Sequence, residues 1–96
     1  QQSSAASDVY KRQLQACHQL LAILRRLIQA GTTVVQVTHR VDTIVPEMER
    51  VLFLKQGRLV GDGSPREMLR PAELSELFNT PLNVVEAHGF RQVLPG

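Results

Sequence analysis

The sequence predicts an α/β fold, and three stretches of the chain support that prediction. An amphipathic helix begins near Leu14 and ends at Gly31. A valine-rich run with the sequence TTVVQVTHR follows it, and a second apolar run at residues 51–54 leads into a hairpin. Helices that alternate with apolar strands are typical of layered α/β architectures. We therefore expect a sheet with helices packed against it, followed by two short C-terminal helices.

The composition describes one ordinary globular domain. The chain has 96 residues, of which 43% are hydrophobic and 21% are charged, values typical of folded domains. The formal charge of +2 is small and scattered, so we expect no nucleic-acid partner. No apolar run approaches the roughly 18 residues that a membrane-spanning helix needs. The single Cys17 excludes an internal disulfide and favours a reducing compartment.

Residues 1–13, with the sequence QQSSAASDVYKRQ, differ from the rest of the chain. They are polar, rich in Ser and Ala, and lack the period of a helix or a strand. They resemble the translated sequencing-adapter segments that become fused to the ends of reading frames. A targeting peptide is disfavoured by Asp8 and by the lack of an apolar core. We therefore expect a non-native or disordered leader at residues 1–13 and the natural domain at residues 14–96.

The first helix is predicted by apolar residues at three- and four-residue steps. Its apolar face consists of Leu14, Cys17, Leu21, Leu24 and Ile28, widened by Leu20 and Leu27. Gly31 provides the left-handed residue that commonly ends a helix. The neighbours Cys17 and His18 point about 100° apart on a helix, and no second ligand pair lies at chelating spacing. The sequence therefore predicts no metal site.

The valine-rich run predicts a central strand at residues 33–38 that ends at His39. Val34, Val35 and Val37 are β-branched, and the run does not alternate cleanly with polar residues, which favours a strand buried on both faces. In open α/β sheets, the carboxyl ends of the strands border the ligand-binding crevice. An imidazole there can donate to an anionic oxygen or move a proton, so His39 is the candidate site residue. The alternative is a histidine that merely caps the strand.

The remainder of the chain is predicted to form short elements. These are a short helix at residues 41–45, strands at 51–54 and 58–60, helices opened by Pro65 and Pro71, and strands at 82–85 and 90–94. Ser64, Pro65 and Glu67 occupy the N-cap, N1 and N3 positions of a capping box. Asn79 is expected to close the second of these helices, and His88 to lie in the last turn.

The order of these signals resembles the C-terminal part of the ATP-binding subunit of ABC transporters. In that family, a helix leads through a Gly turn into a strand that ends in Thr-His, the switch histidine. A short helix, an apolar strand, a Lys-x-Gly-Arg hairpin and a Gly-x-Pro-like helix start follow. The corresponding landmarks in this sequence are Gly31, Thr38, His39, Lys55, Gly57, Arg58, Gly61, Gly63 and Pro65. The resemblance extends from about residue 14 to about residue 82, and it implies an incomplete P-loop NTPase-type (RecA-like) layered sheet.

The resemblance implies a subunit that couples ATP hydrolysis to transport across a membrane. It assigns His39 to the γ-phosphate of ATP, with Mg²⁺ bound alongside the nucleotide in the full-length protein. The implied partners are a second nucleotide-binding subunit and a transmembrane permease at the cytoplasmic face of the membrane. The P-loop pattern GxxxxGK[ST], the signature motif and an apolar run ending in Asp-Glu are absent. We therefore expect the chain alone to bind no cofactor.

Two other functions remain open. An ABC-type ATPase that works without a permease, as in repair or translation, shares every motif found here. Only the sequence upstream of Leu14 or a neighbouring permease gene would separate the two classes. A small non-enzymatic α/β binding module would instead predict cooperative folding of the chain alone. Within the transporter class, the SELF-x-x-P stretch at residues 75–81 resembles importers or uncharacterised ATPases near the metal-chelate group.

Overall fold

The computed structural model describes residues 3–96, and the chain divides into two compact units. The first unit extends to Val35 and contains helix α1, Ser3–Gln29. The second unit, Gln36–Gly96, begins with a short 3-10 helix at Val41–Thr43. Its further elements are β1 (Val51–Lys55), β2 (Arg58–Gly63), α2 (Pro65–Met68), α3 (Pro71–Phe78), β3 (Leu82–Ala87) and β4 (Phe90–Pro95).

Helix α1 ends in the glycine turn that the sequence predicts. Gly31 has a φ of +93°, and its N–H donates to the Ile28 carbonyl at 3.0 Å. The N–H of Thr32 donates to the Leu27 carbonyl at 2.9 Å. These two bonds form a Schellman cap. The predicted apolar face is buried or half-buried at Cys17, Leu21, Leu24 and Ile28.

The described part of the leader belongs to the same helix. Residues 3–13 continue α1 without a break, and the side chains of residues 7–13 are exposed. Extending an existing helix needs no new nucleus, and Ala, Lys, Arg and Gln all have high helix propensity. Helical conformation therefore does not require the apolar period that this stretch lacks. The non-native origin of residues 1–13 stays a prediction.

The strands form two antiparallel hairpins and not one layered sheet. β1 pairs with β2, and β3 pairs with β4. Both hairpin turns have two central residues with positive φ: Gln56 (52°) with Gly57 (76°), and His88 (55°) with Gly89 (84°). Positive φ at both positions is the conformation of type I′ turns, whose twist matches that of the strands. Both hairpins follow the turn positions that the sequence predicts.

The predicted central strand at residues 33–38 does not form. This segment has no regular secondary structure, and Val35 and Val37 are 88% and 92% exposed. Among the described residues, β1 has β2 as its only strand neighbour, and residues 33–38 pair with no strand. The layered sheet of a P-loop NTPase is likewise not formed by residues 3–96. The physical reason is that backbone N–H and C=O groups of a strand need a neighbouring edge, and an isolated strand has none.

The core of the second unit brings together β1, the two short helices and both strands of the C-terminal hairpin. Its most buried members are Phe53, Leu69 and Leu74, which are 8%, 3% and 1% exposed. Partly buried side chains packed against them are Val41, Ile44, Val51, Met68, Leu77, Leu82, Val84 and Val93. A Cβ at Gly61 would lie 2.5 Å from the Met68 side chain. The glycine in β2 therefore allows α2 to pack closely.

Both short helices begin at the predicted prolines, and the second one ends at the predicted Asn79. The Ser64 hydroxyl accepts the Glu67 N–H at 3.2 Å, and the Glu67 carboxylate accepts the Ser64 N–H at 3.2 Å. The bond from the Ser64 backbone, followed by that from its hydroxyl, lowers the pKa of Glu67. Helix α3 begins at Pro71 and is closed by Asn79, whose φ is +54°. Leu69, the residue that follows α2, and Leu74 of α3 both belong to the core.

Candidate functional site

His39 lies in a loop, residues 36–43, whose backbone is held by two threonine hydroxyls. The Arg40 N–H donates to Thr38 Oγ1 at 3.0 Å. Thr38 Oγ1 lies 3.0 Å from Thr43 Oγ1, and the Thr43 hydroxyl donates to the Arg40 carbonyl at 2.8 Å. The backbone of Arg40, the residue after the histidine, is therefore held at both ends: its N–H bonds to the Thr38 hydroxyl and its C=O to the Thr43 hydroxyl.

Two further contacts close this loop. Gln36 Nε2 donates to the Thr43 carbonyl at 3.3 Å. Arg40 donates from Nε and Nη2 to the two carboxylate oxygens of Asp42 at 3.1 and 2.7 Å. The side chains of this ion pair are 57% and 38% exposed, so the pair adds little to stability. Its structural effect is to engage the guanidinium within the loop, beside an exposed His39.

An open pocket of about 520 Å³ adjoins the loop. Its lining consists of His39, Arg40, Val41 and Asp42 from the loop and of Phe78, Thr80, Leu82, Gln92 and Val93 from the C-terminal half. Strand β4 contacts the 3-10 helix and so forms the far side. The structure thus places His39 against an open cavity and outside the core, but not at the end of a paired strand.

No local sequence pattern indicates the residues that complete this pocket. Gln92 reaches it because β4 contacts the 3-10 helix, whereas Phe78 and Thr80 come from the end of α3 and the turn after it. No local pattern encodes such long-range neighbours. Thr43, by contrast, has a local sequence signal, its place at a predicted short helix. Ser and Thr beside a short helix commonly bond to nearby backbone groups, and Thr43 does so within its own turn.

A second, smaller pocket of about 240 Å³ is lined by Arg66, Arg70 and Arg91 together with Glu86 and three apolar residues. Its positive charge is largely balanced. Glu86 lies in the wall, and Arg70 donates to both carboxylate oxygens of Glu73 at 3.2 and 3.0 Å. These bonds lower the pKa of Glu73. The pocket therefore lacks the concentrated charge of an anion site.

The described residues offer no metal centre and no membrane span. No three His, Cys, Asp or Glu side chains within residues 3–96 converge closely enough to hold a metal ion. In the same range, no helix combines the length and the apolar content needed to cross a bilayer. The candidate site residue, His39, lies in the loop of residues 36–43 beside the open pocket. This loop and its pocket therefore form the candidate functional site.

Comparisons with known proteins give consistent relatives, although no protein-family model matches the chain. The hemin import ATP-binding protein HmuV of Rhodopseudomonas palustris (strain BisB5) is 35% identical over 77 residues, which is 79% of this chain and 30% of that protein. An uncharacterized ABC transporter ATP-binding protein of Bacillus subtilis (strain 168), YlmA, is 40% identical over 53 residues, covering 55% of this chain and 20% of that protein. The energy-coupling factor transporter ATP-binding protein EcfA2 of Mycoplasmopsis synoviae (strain 53) is 39% identical over 61 residues, which cover 64% of this chain and 20% of that protein. The chain therefore spans less than a third of the length of these relatives.

Proposed function

We propose that this chain, a relative of the ABC transporter ATP-binding proteins, forms the C-terminal part of a subunit that couples ATP hydrolysis to transport across a membrane. One observation carries the proposal. The pair Thr38-His39 lies in a hydrogen-bonded loop, with the histidine exposed beside an open pocket. In the full-length subunit, His39 donates a hydrogen bond to the γ-phosphate of ATP.

The chemistry of phosphoryl transfer supports a single donor at this place. Transfer to water is catalysed by positioning and by stabilising charge on the γ-phosphate oxygens. One preorganised donor of this kind is typically worth about 3–4 kcal/mol in the transition state. Asp42 offsets the positive charge of Arg40, and we assign the γ-phosphate contact to His39, the exposed imidazole beside the pocket. ATP and Mg²⁺ are held by other parts of the full-length protein, because this sequence contains no P-loop pattern.

The proposed partners follow from the transporter class. They are a second nucleotide-binding subunit and a transmembrane permease, with the ATPase at the cytoplasmic face of the membrane. Two of the relatives are named for hemin import and for an energy-coupling factor transporter. These names favour transport over an ABC-type ATPase that acts without a permease.

The test compares the 96-residue chain with the full-length subunit that contains it. We expect the chain alone to show no Mg-ATP binding by calorimetry and no phosphate release. In the full-length subunit, His39→Ala lowers kcat by about 100- to 1,000-fold, while ATP affinity is retained. His18→Ala is the matched control, since it removes an exposed imidazole from α1, and it leaves kcat unchanged.

Three outcomes would contradict the proposal. They are micromolar ATP binding by the 96-residue chain, an unchanged rate in full-length His39→Ala, and a full-length protein that hydrolyses no ATP. The last result, combined with cooperative folding of the 96-residue chain, would favour a small binding module. Purification of the active full-length protein from native membranes separates the two ATPase classes, because only a transporter subunit brings a permease with it.

A further inference from the structure

We infer that Thr43 is a positioning residue for His39, an inference that rests on the proposed function. The observation is that all three polar groups of Thr43 bond to the same short loop. Its hydroxyl donates to the Arg40 carbonyl at 2.8 Å, and its N–H reaches the same carbonyl at 3.3 Å. Its carbonyl accepts Gln36 Nε2 at 3.3 Å. The loop that carries His39 therefore closes on this one residue.

The hydroxyl protons of the loop can be placed by elimination. A threonine hydroxyl has one proton and two acceptor lone pairs. Thr43 Oγ1 gives its proton to the Arg40 carbonyl at 2.8 Å, so the 3.0 Å contact with Thr38 Oγ1 uses the Thr38 proton. Thr38 Oγ1 then accepts the Arg40 N–H at 3.0 Å. In the reverse arrangement, Thr43 would donate to Thr38, and the Thr38 hydroxyl would donate to the Arg40 carbonyl. That last distance is 3.5 Å, which lies beyond the usual range for two oxygens.

This direction makes the Thr43 hydroxyl the centre of the chain of bonds. It accepts from one hydroxyl and donates to one carbonyl, so removing it breaks two of the three bonds at once. The imidazole of His39 forms no hydrogen bond with the rest of the described chain, and the ring is exposed. Its position is therefore set by its own backbone. Loss of the Thr43 hydroxyl therefore loosens the backbone around His39 without removing the imidazole.

The first test uses the 96-residue chain and two substitutions of one residue. Thr43→Val keeps the shape and removes the hydroxyl, whereas Thr43→Ser keeps the hydroxyl. We expect Thr43→Val to speed amide exchange at Arg40 by about three- to tenfold, the equivalent of about one ordinary hydrogen bond. The reason is that the Thr38 hydroxyl, which accepts the Arg40 N–H, loses its own contact with Thr43. Thr43→Ser should restore the original rate within about twofold. Amides of β1 serve as the internal control, since they report any general loss of structure.

The second test measures the catalytic consequence in the full-length subunit. A misplaced donor costs about 10- to 100-fold in rate, so Thr43→Val should lower kcat by that factor with KM for ATP unchanged. Thr43→Ser should recover the rate. An Arg40 amide that exchanges equally fast in Thr43→Val and in the original chain would overturn the inference, as would an unchanged kcat. If His39→Ala itself leaves turnover intact, the proposed function fails while the exchange result still reports on the loop.

Discussion

Leu74 is the side chain whose truncation most directly tests the core of the second unit. It is 1% exposed and packs with Phe53 and Leu69. Leu74→Ala removes three carbon atoms, which at about 0.8 kcal/mol per buried CH₂ loses about 2.4 kcal/mol of transfer free energy. The cavity left behind brings typical totals to about 2–5 kcal/mol. A unit of this size is stabilised by about 3–9 kcal/mol, so the substitution removes a large share of its stability.

The measurement must report on the second unit alone. The sequence has no Trp, and its one Tyr, Tyr10, lies in α1, so methyl NMR signals of Val84 and Val93 are the suitable probe. At about 4–8 °C per kcal/mol, Leu74→Ala should lower their melting midpoint by about 8–40 °C. Leu54→Ala is the control, because Leu54 is 69% exposed and such changes stay within about 0.5 kcal/mol. Equal shifts for the two variants would refute the described core.

Three further predictions concern the helix ends and the leader. Glu67 and Glu73 have lowered pKa values, so their stabilisation is present above the unfolded pKa near 4.3 and is lost as pH falls through the folded values. Urea midpoints of the second unit should therefore drop between pH 6 and pH 3, and Glu67→Gln should reduce that drop. Asn79→Ala should destabilise the unit by about 1 kcal/mol, because a φ of +54° disfavours a Cβ without a compensating side chain, whereas Asn79→Gly should not; equal midpoints for both would contradict this. Deletion of residues 1–13 should leave the midpoint of the second unit unchanged in the same NMR melt, and a loss of several degrees would show that the leader supports the fold.

The parts of the fold that depend on short-range chemistry were predictable from the sequence. Ser64 and Glu67 form a cap because their spacing alone brings a hydroxyl and a carboxylate to the two free N–H groups. Gly31 and Asn79 end helices because each takes up the left-handed conformation that a helix end requires. Each of these contacts spans at most a few residues, so the rest of the protein has little influence on them.

The parts that depend on distant neighbours were not predictable. The run at residues 33–38 predicts a strand buried on both faces, and this prediction is wrong for the described chain, because residues 3–96 supply no strand beside it and Val35 and Val37 stay exposed. The pocket beside His39 depends on β4 reaching the 3-10 helix, and neither element carries a signal for the other. His39 is predicted as a candidate because a strand-like run ends there, and its role stays a prediction. Thr43 has only the weak local signal of a threonine at a short helix, and its contact with Thr38 forms only when the loop closes.

The unpaired stretch at residues 33–38 also makes the chain sensitive to proteases. Val34 and Gln36 are half-buried while Val35 and Val37 are exposed, which is the two-residue alternation of an extended backbone. An exposed backbone without hydrogen-bonded neighbours is the preferred site of proteolytic nicking. A protease added in small amounts should therefore cut the 96-residue chain first between α1 and the 3-10 helix, as mass spectrometry of the products would show. In the full-length subunit proposed above, a neighbouring strand would shield the same peptide bonds, so resistance at this one segment would show that residues 33–38 have gained such a neighbour.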